Sequence, residues 1–234
     1  MRIVTFVFLT LFLVSCDPKD MQKVLDTVSS AQLTNADISA GLKQALDKGV
    51  EQSVRTLSAE NGYYASIYKI LLPSEAQTVV NKLKVIPGFE NLEVEAIKKI
   101  NKAAEDAATK ASPIFINAIK QMTINDVMGI LMGEKNAATQ YLHNSTYNAL
   151  YSEFKPVMIN SLNKFGALDY YGQAVNKYNS IPFVNKVNPD LADYVTQKAL
   201  VGLFALIEKK ELGIRTDISQ RSTDLLKKVF AKQD

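Results

Sequence analysis

The chain has 234 residues, 47% of them hydrophobic, which is enough apolar material for one large domain or two small ones. Its formal charge of +3 is too small for the basic face of a nucleic-acid binder, and ten scattered tyrosines with no tryptophan give no stacking platform for bases or sugars. A lone cysteine excludes any intramolecular disulfide, so the fold must stand on its core.

The chain opens with Arg2, an uncharged apolar run from Ile3 to Val14, and Leu13-Val14-Ser15-Cys16. A positive start, a short apolar core and a small residue at the cut are the parts of a signal peptide. The core is about 12 residues long, below the roughly 20 needed to span a bilayer as a helix. Leu13-Val14-Ser15-Cys16 resembles the lipobox of a bacterial lipoprotein. Residues 1–15 are thus expected to be a signal peptide, with Cys16 carrying a diacylglycerol or triacyl anchor, and 16–33 a tether with a weak first helix. Two or three acyl chains hold a protein firmly, each buried methylene contributing about 0.8 kcal/mol. The expected location is the bacterial cell envelope, facing the periplasm. Asp17 resembles the inner-membrane retention signal of enteric-type sorting systems, but other lineages read that position differently, so inner and outer membrane both stay open.

Residues 34–234 read as one all-α domain, which with the weak first helix makes nine or ten helices. Thr34 and Asp37 make a capping-box start, and Ile38, Leu42, Leu46, Val50, Val54 and Leu57 recur at helical spacing. Asn61-Gly62 breaks the chain, and Tyr63 to Leu72 reads as an irregular aromatic connection. Helices are predicted from Pro73-Ser74 to Ile86, from Leu92 to Lys110, and from a Ser112 cap with Pro113 at its first position to Met122. Thr123-Ile124-Asn125-Asp126 repeats the capping box and starts a short helix ending at Gly133. A long helical region spans Ala137 to Phe165, kinked at Pro156 and capped by Gly166. Ala167 to Tyr178, a strong helix from Asn188-Pro189, and Ser222 to Ala231 complete the set. No period-2 strand pattern appears, and no long apolar run follows the first one.

Several blocks resemble an uncharacterised bacterial family, domain of unknown function 4197. They are Asn101-Lys102-Ala103-Ala104-Glu105, Ala118-Ile119-Lys120-Gln121-Met122-Thr123-Ile124-Asn125-Asp126, Gly129-Ile130-Leu131, Ala138-Thr139 and Phe154-Lys155-Pro156. Asp193-Tyr194-Val195-Thr196, Gly202-Leu203-Phe204, Ile214-Arg215 and Leu225-Leu226-Lys227-Lys228-Val229-Phe230 follow in order, so the resemblance covers about residues 33–231. It implies an all-helical envelope protein and no particular activity. Tyr141-Leu142-His143 departs from it, standing where an aromatic pair followed by arginine is expected, so a positive charge at 143 carries no weight.

The residues themselves offer little catalytic chemistry. With the single cysteine given to lipid, His143 has no companion for a Cys/His zinc site. Glu90, Glu93, Glu95, Glu105 and Asp106 are too sparse for a calcium loop. No Gly-x-Ser-x-Gly elbow occurs, and Gly129 and Gly133 suit close helix packing better than a phosphate loop. No catalytic residue, metal site or cofactor is expected.

Two sets stand out. Asn101 and Glu105, one turn apart in an alanine-rich helix, form with Asp126 and Arg215 a candidate polar cluster, in which Arg215 pairs with Glu105 or Asp126. Its structural reading is a network fixing helix register; its functional one is a ligand site. Tyr63, Tyr64 and Tyr68, with Tyr170, Tyr171 and Tyr178, form a candidate apolar groove, the competing reading being core packing. The expectation is a non-catalytic, lipid-anchored module that binds another envelope macromolecule. The alternative is a carrier or sensor of an apolar ligand such as an acyl chain, with an enzyme third.

Overall fold

Helical spacing of apolar residues becomes helices packed side by side in the computed structural model. It describes residues 33–74, 76–77, 90–164 and 191–231, and between 168 and 190 positions 168, 171–172, 175–176, 179–180, 182–183, 186, 188 and 190. Seven α-helices lie among the described residues: α1 (Asn35–Ser58), α2 (Leu92–Ala108), α3 (Ala111–Gln121), α4 (Ile124–Leu131), α5 (Ala137–Asn163), α6 (Leu191–Thr216) and α7 (Asp224–Phe230). No strand occurs among those residues. The all-α class holds, and the described residues contain seven of the nine or ten helices expected of the whole chain. Segments expected to supply the others, 17–33, 74–86 and 167–178, lie wholly or largely outside the described residues, as do Cys16, the signal peptide and Gly166.

The stripe predicted on α1 is the stripe that is buried: Ile38, Leu42, Leu46, Val50, Val54 and Leu57 all face inward. α1 packs against α2, α3, α4, α6 and α7, while α5 packs against α2, α3, α4 and α6. α7 crosses α1 at Gly41, where a Cβ would stand 2.6 Å from Val229 Cγ2, so only glycine permits the approach. Ala103, Ala104, Ala107 and Ala108 are fully buried on α2, the small residues letting neighbouring backbones come close.

Some helix ends differ from expectation, each for a local reason. α3 begins at Ala111, not after a Ser112 cap, because the chain turns helical directly after α2; Pro113 falls in the first turn, where its missing N–H costs nothing. α6 starts at Leu191 with Asp190 as its cap, the Asp190 side chain accepting from the Asp193 N–H. α7 starts at Asp224 behind a Thr223 cap. α5 continues through Pro156, whose exposed position leaves the carbonyl freed one turn earlier, at Ser152, beside solvent. The box on α4 forms as predicted, with both reciprocal bonds between Thr123 and Asp126. Gly133 sits in a tight turn, where a Cβ would lie 2.6 Å from the Gly129 carbonyl oxygen. Gly129 is exposed with nothing for a Cβ to meet, so it serves no close helix packing.

Candidate functional site

The irregular segment between α1 and α2 is held by α2 from beneath. Asn101, fully buried, accepts from the Ile70 N–H at 2.8 Å and donates to the Ile70 carbonyl at 2.8 Å and to the Ile97 carbonyl at 2.7 Å. One turn along, Glu105 Oε1 accepts from the Tyr63 and Tyr64 N–H groups at 3.3 and 3.4 Å. The fully buried Tyr63 donates its hydroxyl to the Ala199 carbonyl of α6 at 2.8 Å. Burial, followed by the charge of Glu105, pushes the Tyr63 hydroxyl above the ordinary tyrosine range. α6 meets this segment at Gly202, where a Cβ would lie 3.1 Å from Tyr63 Cε1 and 3.2 Å from Tyr68 Cβ. Tyr194 closes the far end, its hydroxyl donating to the Leu71 carbonyl at 3.3 Å.

With its backbone held at both ends, the segment sorts its side chains by direction. Tyr63, Ile70 and Leu72 point into the core, Tyr64 and Tyr68 are half-buried, and Ile67 and Leu71 stand 84% and 51% exposed. Two of its turns close through Ser66, whose hydroxyl donates to the Tyr63 carbonyl at 3.0 Å and accepts from the Tyr68 N–H at 3.1 Å.

A second buried node lies at the C-terminal half of α6. Glu211 accepts from the Ala138 N–H at 3.0 Å, and from the Thr139 N–H and hydroxyl at 2.8 and 2.7 Å. These amides open α5, whose own N-cap residue, Asn136, offers no side-chain cap. Arg215 bonds Glu211 Oε1 through Nε at 3.0 Å and donates to the Ile130 and Leu131 carbonyls that end α4, at 2.8 and 3.3 Å. One ion pair thus puts its anion at a helix start and its cation at a helix end, as the backbone dipoles favour. Arg221 repeats the device, donating to the Ile214 and Arg215 carbonyls in the last turn of α6 at 3.0 and 2.9 Å.

The four residues of the predicted polar cluster therefore do three separate jobs. Asn101 and Glu105 work together, as their spacing suggested. Arg215 takes Glu211 as its ion-pair partner in place of Glu105 or Asp126, because the two share one face of α6 four residues apart. Asp126 stays on its own helix, and hydrogen bonds from the Thr123 backbone and hydroxyl hold its carboxyl below the usual range. Sequence reasoning missed Glu211 and Arg221. A signal for Glu211 was present: Ala199, Leu203, Ile207, Glu211 and Arg215 extend one stripe in four-residue steps, all buried.

The tyrosine set does not assemble into a groove among the described residues. Tyr63 and Tyr171 are core side chains, the Tyr171 hydroxyl donating to the Asn188 carbonyl at 3.1 Å. Tyr170 and Tyr178 lie outside the described residues. Between α1, the start of α5, the C-terminal half of α6 and α7, a partly open hollow of about 20 Å³, lined by Leu42, Leu46, Ala138, Glu211, Arg215 and Phe230 among others, has room for a single water.

An open surface hollow of about 430 Å³ runs along α5 at Tyr151, Lys155, Pro156 and Ile159. Polar groups at its edge are tied to one another. Lys155 bonds Asp190 at 2.7 Å, and Asp193 accepts from Tyr151 at 2.6 Å, Asn188 at 2.6 Å and Gln197 at 3.0 Å. Partial burial works against Asp193, but the bonds from Tyr151, Gln197 and Asn188 hold its carboxyl low; bonds to Asp190 and then Tyr151 push Lys155 up. The arrangement clasps α5 to the start of α6. His143 is exposed and lies against Tyr147 and Phe204, with ring centroids 5.0 and 4.8 Å away. Among the described residues no three His, Cys, Asp or Glu side chains group to hold a metal ion, and no helix is long and apolar enough to cross a membrane.

A family model described as "Protein of unknown function (DUF4197)" matches residues 32–231. The chain belongs to this family. The match takes in both buried nodes and the irregular segment between α1 and α2. No curated protein and no solved structure matches the chain.

Proposed function

We propose that this family member is a lipid-anchored protein of the bacterial cell envelope, and that its helical domain is a non-catalytic binding or assembly module. The observation that carries the second half is the use made of the buried polar groups. Asn101, Glu105, Glu211, Arg215 and Arg221, all buried, are spent on holding backbone groups. A fixed segment that displays Ile67 and Leu71 suits contact with another surface. The hollow between α1, α5, α6 and α7 has room for about one water, too little for an acyl chain in this conformation. Catalysis asks for titratable groups converging on a cleft, and the carboxylates beside the α5 hollow are spent on Lys155, Tyr151, Asn188 and Gln197. Anchoring rests on the run ending at Cys16.

Intact-mass analysis of the protein from its membrane fraction, set beside a Cys16→Ser variant, tests the anchor. The expected parent mass begins at Cys16 and carries added acyl mass, whereas the variant leaves the membrane fraction. An unacylated Cys16 in the parent overturns the anchored reading. Mass spectrometry of organic extracts from the same protein tests the module. A stoichiometric apolar molecule would displace it in favour of the carrier.

A further inference from the structure

Ile67 and Leu71 are exposed on a segment that the fold spends buried hydrogen bonds to immobilise. From Lys69 to Leu72 the chain has no regular secondary structure and its side chains alternate in exposure: Lys69 and Leu71 outward, Ile70 and Leu72 inward. Beside them on α6, Val201 is 62% exposed next to the Gly202 contact, and Tyr194 reaches the Leu71 carbonyl. Apolar tips at the front and half-buried tyrosines behind are the layering of a surface that meets a water–hydrocarbon boundary.

The charges decide what it meets. Lys98 and Lys102 on α2 are paired with Glu95 and Asp106. Lys69 and Lys198 have no carboxylate partner among the described residues; their ammonium groups lie over the Tyr64 and Tyr194 rings, 4.2 and 5.7 Å from the centroids. Two uncompensated cations thus flank the apolar tips, on long stems that can rise to a headgroup layer while Ile67 and Leu71 go deeper.

We propose that the Tyr64–Leu71 face is a second membrane contact, docking the domain onto a lipid surface that carries anionic headgroups. The inference rests on the anchored reading, because a patch this small gains its occupancy from a tether that keeps it near the bilayer. Docking fixes the orientation of the domain and turns the opposite end of α6 away from the lipid.

The test uses the full-length protein purified from its membrane and reconstituted into vesicles. Cys16 is the only cysteine, so Leu71→Cys and, as a second position, Ile67→Cys each take one environment-sensitive fluorophore. Ile218→Cys, 59% exposed beyond the C-terminus of α6 and roughly 20 Å of helix from Gly202, is the control. In vesicles containing phosphatidylglycerol, the probes at 67 and 71 are expected to be quenched several-fold more by a lipid-borne quencher than the probe at 218. Pure phosphatidylcholine, or Lys69→Glu with Lys198→Glu, is expected to abolish that difference. Protein that floats with vesicles while its probe at 71 stays as open to aqueous iodide as the one at 218 overturns the inference and leaves the anchor standing. A probe at 71 shielded from both quenchers overturns it in favour of a protein partner or a second copy. Parent protein that takes up fluorophore at Cys16 and fails to float removes the anchor, and the inference falls with it.

Discussion

Glu105 and Glu211 are both buried glutamates on helices, and both spend their oxygens on backbone amides of a distant segment. Their surroundings differ. Glu211 bonds at 2.7–3.0 Å, has Arg215 directly against it, and joins three helices through one ion pair. Glu105 bonds at 3.3 and 3.4 Å and leaves the stronger hold on its segment to Asn101, which bonds the Ile70 N–H and carbonyl at 2.8 Å each. The first node joins helix ends, whose stranded N–H and C=O groups demand partners in any buried bundle. The second shapes an irregular connection, which presents Ile67 and Leu71 to the outside.

The comparison is sharpest under substitution. Arg215→Ala leaves the Glu211 carboxylate buried without its guanidinium, and is expected to cost about 3–5 kcal/mol in urea denaturation. Replacing both residues with apolar ones of similar volume should recover part of that loss, since a buried pair costs more to break than to exchange. A cost below about 1 kcal/mol for Arg215→Ala would contradict the central role of this node.

Glu105→Ala strands only the Tyr63 and Tyr64 amides, whose bonds are long, and is expected to cost about 1–3 kcal/mol. Hydrogen exchange should accelerate first at those two amides, while α4 and α5 keep their protection. Global loss of protection with the local amides unaffected would show that the two nodes are not separate.

The smallest effect is expected from Tyr63→Phe, about 1 kcal/mol at neutral pH, since Ala199 keeps its place in the helix ladder. Its value lies in the pH profile. The folded-state Tyr63 hydroxyl titrates above the unfolded value of 10.0, so its contribution is complete below pH 10 and falls away as pH rises further. Thermal melts of the parent should steepen downward above pH 10, and those of Tyr63→Phe less so. At the other limb, the lowered carboxyls of Asp126, Asp193 and Asp217, the last held low by hydrogen bonds from Ser219 and Gln220, contribute stability above pH 3.8 that is lost as pH falls below it, in parent and variant alike. An alkaline limb identical in the two proteins would remove Tyr63 as its source.

The all-helical class, the buried stripe of α1, the Thr123–Asp126 box and the irregular character of Tyr63–Leu72 were legible along the chain, because each is a property of residues within one or two turns of one another. The pairing of Asn101 with Glu105 was legible for the same reason. Helix starts at Ala111 and Leu191 were less so: Ser112, Asn188 and Asp190 are all plausible caps in isolation, and packing chooses among them. Tertiary structure alone decided where the polar side chains end. Position in a helical stripe tells that Glu211 and Arg215 are buried, but the amides and carbonyls they serve lie more than 70 residues away in the chain. A buried charge must find a partner somewhere, and which backbone groups become that partner depends on how the helices cross.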